Sequence, residues 1–271
     1  MLTIQKIIFT LTSLLYLVAL VTVIATANLL EYTNFLETMT QENGFFETIS
    51  VLLLLTISTY GVVSVVKYKA KFNRFFLFTI VAFSLLTFLA GMEEMSWGQH
   101  LFHFESSEYF LEHNLQNETN LHNLIPANLF SSIIYSTVYT ILVFIPLLYK
   151  IFYKQLQKFK LLHYFDINPH TILVVLFASV FQIYFYDDVG VIIDMASHLT
   201  ALLLFAYFLL THPHTKSLRW HFIVVVLATI VSMYSQEIYS FFNMQYEIRE
   251  MFVVLATLLV FIELVEKKKK Y

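Results

Sequence analysis

The sequence has no cysteine, and it has only five glycines and four prolines. The absence of cysteine excludes a disulfide framework, a thiolate metal site and a cysteine nucleophile. Charge is also scarce, because only 13% of residues are charged, against about 25% in a typical soluble domain. A soluble protein of 271 residues needs a polar surface that this composition does not supply.

Hydrophobic residues take the place of the missing polar ones and make up 58% of the chain. The 28 phenylalanines and 17 tyrosines suit a lipid-facing surface with aromatic rings at its interfaces. The net charge of −3 argues against a nucleic-acid partner. The composition therefore predicts an integral membrane protein whose surroundings are membrane lipids.

Apolar stretches long enough to be transmembrane helices occur along the whole sequence. A helix needs about 20 mostly apolar residues to cross the hydrocarbon core, and eight stretches meet or approach this length: 5–29, 45–66, 74–94, 128–149, 170–186, 188–211, 219–241 and 248–266. The first is longer than the core of a cleavable signal peptide, about 7–15 residues, so we interpret it as a retained helix. The fifth is short, and only Tyr186 to Asp188 separate it from the sixth, which predicts a tight hairpin. The fold predicted is one all-α, polytopic transmembrane bundle over residues 1–271.

Basic residues predict the orientation of this bundle. With the N-terminus in the cytoplasm, fifteen of the sixteen Lys and Arg residues lie on the cytoplasmic side, and only Arg249 lies opposite. Both termini are then cytoplasmic, and a long loop at about 95–127, without Lys or Arg, caps the bundle outside. Within it, the segment from Glu105 to His113 predicts a short helix capped by Ser106 or Ser107. The basic inner loops suit a bacterial plasma membrane.

Ionisable residues within the spans are the first functional signal, because a charge at the bilayer centre costs at least about 2.5–3.5 kcal/mol. Glu93 and Glu94 end the third span, and adjacent helical residues point in different directions, so we expect different partners for them. Asp194 and His198 are four residues apart and share a helix face. They either bind one metal, form an oriented catalytic pair or hydrogen-bond within the bundle for packing.

Further acids and histidines fall at the same end of the predicted spans. Glu118 and His122 have the spacing of one helical turn, and His100 precedes them in the loop. Each acid alone is explained as a helix end in contact with headgroup water. Together they predict a polar chamber that opens outward and includes Glu47, Ser96, Glu118, Glu237 and Glu250.

The leading functional hypothesis is a membrane-embedded, metal-dependent hydrolase or transferase acting on a lipidic substrate at the extracytoplasmic face. Carboxylates and imidazoles without thiolates suit one divalent metal such as zinc, which takes about three protein ligands and a water. The predicted ligands are Glu94, His122, Asp194 and His198, with Glu93 as general base and His100 as a second catalytic residue.

Two other classes of function stay open. Buried acids and histidines also serve a proton- or ion-coupled transporter, although the ionisable residues of this chain stop halfway through the predicted spans. A non-enzymatic assembly subunit that docks a partner with the outer loop is the second alternative.

The segments from Glu93 to Gln99 (EEMSWGQ) and from Glu118 to Asn123 (ETNLHN) carry a family resemblance. The chain resembles a group of bacterial polytopic membrane proteins of undefined function, which implies a membrane location and no activity. The segment 45–50 (FFETIS) is distantly similar to the CREST, or alkaline ceramidase-like, hydrolases, without their paired histidines in the last span. The pair at 93 and 94 is similar to that of CAAX-type intramembrane proteases, without the arginine that follows it there. Both resemblances imply an acid and histidine site inside a helical bundle.

Overall fold

The computed structural model describes residues 44–181, 189–235 and 242–269, and every regular element in these ranges is helical. The longer helices are α1 (Phe45–Tyr68), α2 (Arg74–Glu94), α3 (Glu108–His113), α4 (Ala127–Tyr139), α5 (Ile145–Ile151), α6 (Pro169–Ala178), α7 (Val189–Thr211), α8 (Lys216–Ser235) and α9 (Phe242–Lys269). A π-helical turn, Thr140–Phe144, joins α4 to α5. Short helical turns lie at Lys69–Lys71, Ser96–Gly98, Gln99–Phe102, His122–Leu124, Tyr153–Leu156, Lys160–Phe165 and Pro213–Thr215.

Five segments of the described residues are long and apolar enough to cross a membrane: Phe45–Lys71, Arg74–Glu94, Leu129–Ile151, Val189–Thr211 and Pro213–Tyr234. They match the second, third, fourth, sixth and seventh predicted spans, which supports a helical, multi-pass membrane protein. Helices suit such a setting because all their backbone hydrogen bonds close within one segment. The eighth predicted span lies within α9, and the first, 5–29, lies outside the described residues.

The two ends of the bundle differ in chemistry. At the "lysine end", Lys71 Nζ donates to the Lys269 carbonyl at 3.2 Å, and Lys150 Nζ lies 2.7 Å from Asp166 Oδ1. At the opposite "loop end", the segment 95–126 connects the C-terminus of α2 to the N-terminus of α4. The connection between α1 and α2 therefore lies at the lysine end, and the long loop lies at the other.

Helices α1 and α2 pack together closely where small residues face one another. A Cβ on Gly61 of α1 would lie 1.9 Å from Ser84 Oγ of α2, so a larger residue here would have to displace that hydroxyl. Ile57, Ile80 and Phe261 are buried in the same contact, which brings α9 against the pair. A second and larger apolar core joins α4 through α9. These two cores place the loop-end residues of α1, α2 and α9 next to one another.

Helix α6 corrects the predicted fifth span. We expected a helix over 170–186, but α6 ends at Ala178. Its ten residues rise about 15 Å, which is half of a hydrocarbon core of about 30 Å. Every residue from Thr171 to Ala178 is buried in the bundle, where α6 packs against α8 and α9. The run is apolar because it lies in a protein core, and the predicted hairpin at Tyr186 to Asp188 lies outside the described residues.

The N-terminus of α6 is held by Glu263 of α9. The Glu263 carboxylate accepts hydrogen bonds from the Asn168 backbone N–H at 2.8 Å and from the Thr171 hydroxyl at 2.5 Å. Negative charge is favourable at this end of a helix. Lys267 Nζ lies 2.8 Å from Glu263 Oε1, so this acid also contacts the C-terminal lysines.

Candidate functional site

The loop end begins with a sharp backbone turn after α2. Ser96, Trp97 and Gly98 have φ angles of 46°, 54° and 86°, so three consecutive residues are left-handed. For a residue with a side chain this conformation costs about 1–2 kcal/mol. Strained backbone persists only where its surroundings hold it in place. The side chains of this turn supply such contacts with the rest of the segment 95–126, which we call the cap.

Glu118 is the central acceptor of the cap. Its Oε2 accepts the Ser96 hydroxyl at 2.6 Å and the Asn120 amide at 2.9 Å, while its Oε1 lies 2.7 Å from His100 Nε2. Ser96 and Asn120 are buried, whereas the His100 side chain is 41% exposed and that of Glu118 only 12%. One fixed carboxylate therefore connects buried donors on one side to an accessible imidazole on the other.

Amide side chains fix the rest of the cap. Asn114 donates to the Asn120 carbonyl at 2.8 Å, and Gln99 Oε1 accepts the Thr119 backbone N–H at 2.7 Å. The Ser106 hydroxyl lies 3.0 Å from Thr119 Oγ1 and donates to a backbone carbonyl of the cap. Neither serine caps helix α3 as predicted: the helix begins after Ser107, and no side chain makes a capping hydrogen bond there.

Glu93 ties the end of α2 to the cap. Its Oε1 accepts from Trp97 Nε1 at 2.7 Å, and its Oε2 accepts the backbone N–H groups of Leu121 and His122 at 2.5 and 3.2 Å. Three donors occupy this carboxylate. These contacts join the end of α2 to the cap, and the role of Glu93 as general base stays a prediction.

Glu94 faces a different set of partners, as the geometry of adjacent helical residues predicts. It lies within electrostatic range of Glu250, Glu47 and Glu247 at the loop end of α1 and α9. Glu93 faces the cap, and Glu94 lies near Glu47 and Glu250, two of the acids predicted for the polar chamber, which itself stays a prediction. Glu237, the remaining acid predicted for it, lies outside the described residues.

His122, near the end of the cap, has its ring 5.7 Å from that of Phe130 in α4. Its Nδ1 is 3.8 Å from Glu93 Oε2 and has no hydrogen-bond partner. Burial lowers the pKa of His122 below its ordinary value, and the opposing charges of Glu93 and Glu118 do not cancel this effect. The predicted helical turn that would pair His122 with Glu118 is absent, because residues 118–121 are not helical.

Arg249 forms an ion pair inside the bundle. Its Nη2 lies 3.5 Å from Asp194 Oδ2, and both side chains are buried. The guanidinium carbon lies 3.6 Å from the ring centroid of Tyr135, an arrangement that favours a cation–π contact. The pair joins α9 to α7 and α4. In the sequence, Arg249 stands out only as the one basic residue that the predicted topology places on the extracytoplasmic side.

His198 lies between two hydroxyl groups. Its Nδ1 is 3.1 Å from Tyr139 Oη, and its Nε2 is 3.2 Å from Thr229 Oγ1. Because Thr229 donates its own proton to the Val225 carbonyl at 2.9 Å, it accepts from Nε2–H, and Nδ1 accepts from Tyr139. Both ring nitrogens of this buried histidine are thus engaged with hydroxyls. Asp194 and His198 are both buried on α7, as expected, but they bind different groups.

The predicted metal ligands are not brought together. Among the residues that the structure describes, no group of three or more acids and histidines has a metal-binding arrangement. The four ligands are divided among three places: His122 beside Glu93, Glu94 beside Glu250, and Asp194 and His198 inside the bundle with Arg249 and Tyr139. The divalent metal stays a prediction without an assembled ligand set in these residues.

Comparison with protein-family models, with curated proteins and with solved structures finds no match. The resemblances that the sequence suggests therefore stay predictions. The two halves of the sequence motif are nevertheless in contact in the structure. Glu93 accepts the amides of Leu121 and His122, and Ser96 donates to Glu118.

Proposed function

We propose that this protein is a membrane-embedded hydrolase or transferase acting on a lipidic substrate at the extracytoplasmic face of a bacterial plasma membrane. His100 is the general acid–base of the reaction, and Glu118 orients it. The observation that supports this assignment is the 2.7 Å contact between His100 Nε2 and Glu118 Oε1.

The contact defines what the imidazole can do. An acceptor at Nε2 keeps the proton on that nitrogen and leaves the lone pair of Nδ1 available to take a proton from water or from a substrate hydroxyl. A carboxylate in this position also stabilises the imidazolium that proton transfer creates. Ser96 and Asn120 hold the other oxygen of Glu118, so the orienting group does not move.

The surroundings of His100 suit a lipidic substrate. Trp97, Leu101, Phe102 and Phe104 are all exposed around it, and Phe102 reaches 73%. Exposed apolar and aromatic side chains at the end of a membrane bundle are typical of the interface between headgroups and acyl chains. Ester and phosphoester bonds of membrane lipids lie at this depth. Ser96 is buried, so we assign it to holding Glu118 and not to oxyanion stabilisation.

A transporter receives less support from the described residues. Their buried acidic, basic and histidine side chains are Asp194, His198 and Arg249 toward the loop end and Glu263 at the lysine end. Glu263 is bonded to Thr171 and Lys267, and the residues of α6 between these two places are apolar. A proton path across the bundle needs polar groups in this interval.

The catalytic test is lipid turnover in vesicles of bacterial lipid extract that contain the purified full chain. Lipid products are followed over time by mass spectrometry. We expect His100→Gln to lower turnover by about 10²–10⁴-fold, the usual contribution of general acid–base catalysis, and Glu118→Gln to lower it less. The matched control is His113→Gln, because His113 is an exposed cap histidine bonded only to the carbonyl of its own helix.

Two results would contradict the proposal. One is wild-type protein that changes no lipid in the extract, and the other is turnover that His100→Gln leaves intact. The melting temperature of each variant is measured in parallel, because a loss of turnover counts only in a folded chain. Bound metals are measured on the same samples by elemental mass spectrometry. If the wild-type protein holds about one zinc per chain and His122→Ala loses it, the proposed site includes a metal.

The proposed topology, eight spans with both termini in the cytoplasm, can be tested separately because the chain has no native cysteine. Cysteines are introduced one at a time at Glu112 in the cap and at Lys158 near the lysine end. A membrane-impermeant maleimide added to intact cells labels the first and not the second if the cap is extracytoplasmic. Labelling of the second alone would reverse the orientation.

A further inference from the structure

An apolar groove lies at the lysine end, far from the cap. It has a volume of about 290 Å³ and is formed by α2, the π turn after α4, α9 and the segment Lys160–Phe165. Three of its lining residues, Phe75, Ile141 and Leu161, are more than 40% exposed, so the groove opens at the side of the bundle. In a membrane protein that side faces the lipid.

The lining offers no free polar group to a polar ligand. The hydroxyls of Thr79 and Thr257 donate to carbonyls of their own helices, at 2.9 and 2.8 Å. The hydroxyl of Tyr164 lies 3.2 Å from the Asn73 amide. The other lining residues are apolar. An occupant of this groove is therefore a hydrocarbon chain.

A cation lies at the mouth of the groove. Lys268 Nζ is 4.5 Å from the ring centroid of Tyr164, which lines the groove. The neighbouring lysines are engaged differently, since Lys267 pairs with Glu263 and Lys269 with Glu266. Within the ranges that the structure describes, no carboxylate lies at ion-pair distance from Lys268. Its charge thus remains available to an anionic group above the groove.

We propose that this groove binds one acyl chain of an anionic phospholipid from the leaflet at the lysine end, with the lipid phosphate at Lys268. The apolar lining selects the chain, and the lysine selects the charge of the headgroup. This inference does not depend on the catalytic role of His100, because the groove lies at the opposite end of the bundle.

The test uses the full chain in lipid nanodiscs with photoactivatable phospholipids that carry the reactive group on one acyl chain. Phosphatidylglycerol is compared with phosphatidylcholine, and crosslinked peptides are mapped by mass spectrometry. We expect phosphatidylglycerol to label the peptide around Phe75 and Thr79 about fivefold more, the effect of one cation near an anionic headgroup. Lys268→Gln should bring this ratio close to one.

The matched control is Lys158→Gln, which removes the same charge at the same end of the bundle. Lys158 lies 5.1 Å from the ring of Phe159, which does not line the groove, so its loss should leave the labelling ratio unchanged. Thr79→Trp fills the groove and should remove labelling by both lipids. Equal labelling by the two lipids, or an equal fall with both lysine variants, would overturn the proposal.

Discussion

The loop-end half of this molecule contains two polar groups that are built in different ways. The cap joins Glu93, Ser96, Glu118 and Asn120 in hydrogen bonds and ends at His100, whose side chain is accessible. The membrane-buried group consists of Asp194 with Arg249 and of His198 between Tyr139 and Thr229, and its side chains are enclosed by helices.

This difference separates two uses of ionisable residues, whose burial in a membrane is energetically costly. An ionisable side chain inside a membrane bundle suggests function by default, but the buried group engages its charges and ring nitrogens with protein partners. The cap instead exposes the His100 ring to solvent and fixes it through Glu118. We therefore expect substitutions in the buried group to change stability, and substitutions in the cap to change reactivity and local order.

The largest effect should follow from Arg249→Met, which leaves the Asp194 carboxylate buried without its cation. Breaking a buried ion pair from one side costs about 3–5 kcal/mol, because the remaining charge is uncompensated. Replacement of both residues, Asp194→Asn with Arg249→Met, should recover much of this loss. The measurement is thermal unfolding in detergent for the two single variants and the double variant.

The control for this cycle is Arg219→Met at the exposed start of α8. It removes the same charge from a surface position, where substitutions usually stay within about 0.5 kcal/mol. A double variant that is no more stable than Arg249→Met alone would show that the pair is not the main partner of Arg249. Its contact with Tyr135 would then account for the loss.

A smaller effect should follow from Glu93→Gln. The carboxylate accepts two backbone N–H groups and the Trp97 indole, whereas glutamine offers one oxygen and places its own N–H₂ against donors. Hydrogen bonds to a charged group contribute about 1.5–3 kcal/mol. We expect faster hydrogen exchange at the amides of Leu121 and His122, with the melting temperature of the bundle much less affected.

The comparison variant for exchange is Glu112→Gln, in the same loop. Glu112 is exposed, and the structure records no hydrogen bond to its side chain. Equal exchange in both variants would mean that Glu93 does not hold the cap. Loss of lipid turnover in Glu93→Gln without faster exchange would instead support the predicted role of Glu93 as a general base.

The helices were largely predictable from the sequence, and α6 shows where this stops. Apolar runs of about 20 residues gave the bounds of α1, α2 and α7 within two residues. The run from 170 to 186 has the same composition, yet its first part is a ten-residue helix buried by other helices. Periodicity alone does not distinguish a helix buried in protein from one that faces lipid.

The candidate sites were predictable as residues but not as pairs. The spacing of Asp194 and His198 placed both on α7, but their partners come from α9, α4 and α8, which are remote in sequence. The pairing of His100 with Glu118 depends on three left-handed residues, for which only Gly98 gives a sequence signal. Arg249 was visible as an exception to the charge rule, but its pairing with Asp194 was not.

The smallest expected effect is a difference in acid sensitivity between the two ends of the bundle. At the loop end, burial lowers the pKa of His122, so just below its ordinary pKa of about 6.5 the unfolded cap binds more protons than the folded cap. Stability of the cap therefore falls as pH falls below about 6.5. At the lysine end, burial raises the pKa of Asp166, but its hydrogen bond with Lys150 and the charges of Lys150 and Lys267 lower it overall.

The contribution of Asp166 is thus fully present above its ordinary pKa of about 3.9 and is lost only at lower pH. Hydrogen exchange corrected for its intrinsic pH dependence should show the cap opening as pH falls below about 6.5, while amides next to Asp166 stay protected until the pH is below about 3.9. His122→Gln should remove the first step, because glutamine has no proton to bind, and leave the second unchanged. If both ends lose protection together, acid acts on the whole bundle and not on His122. If the first step persists in His122→Gln, His122 is not its cause.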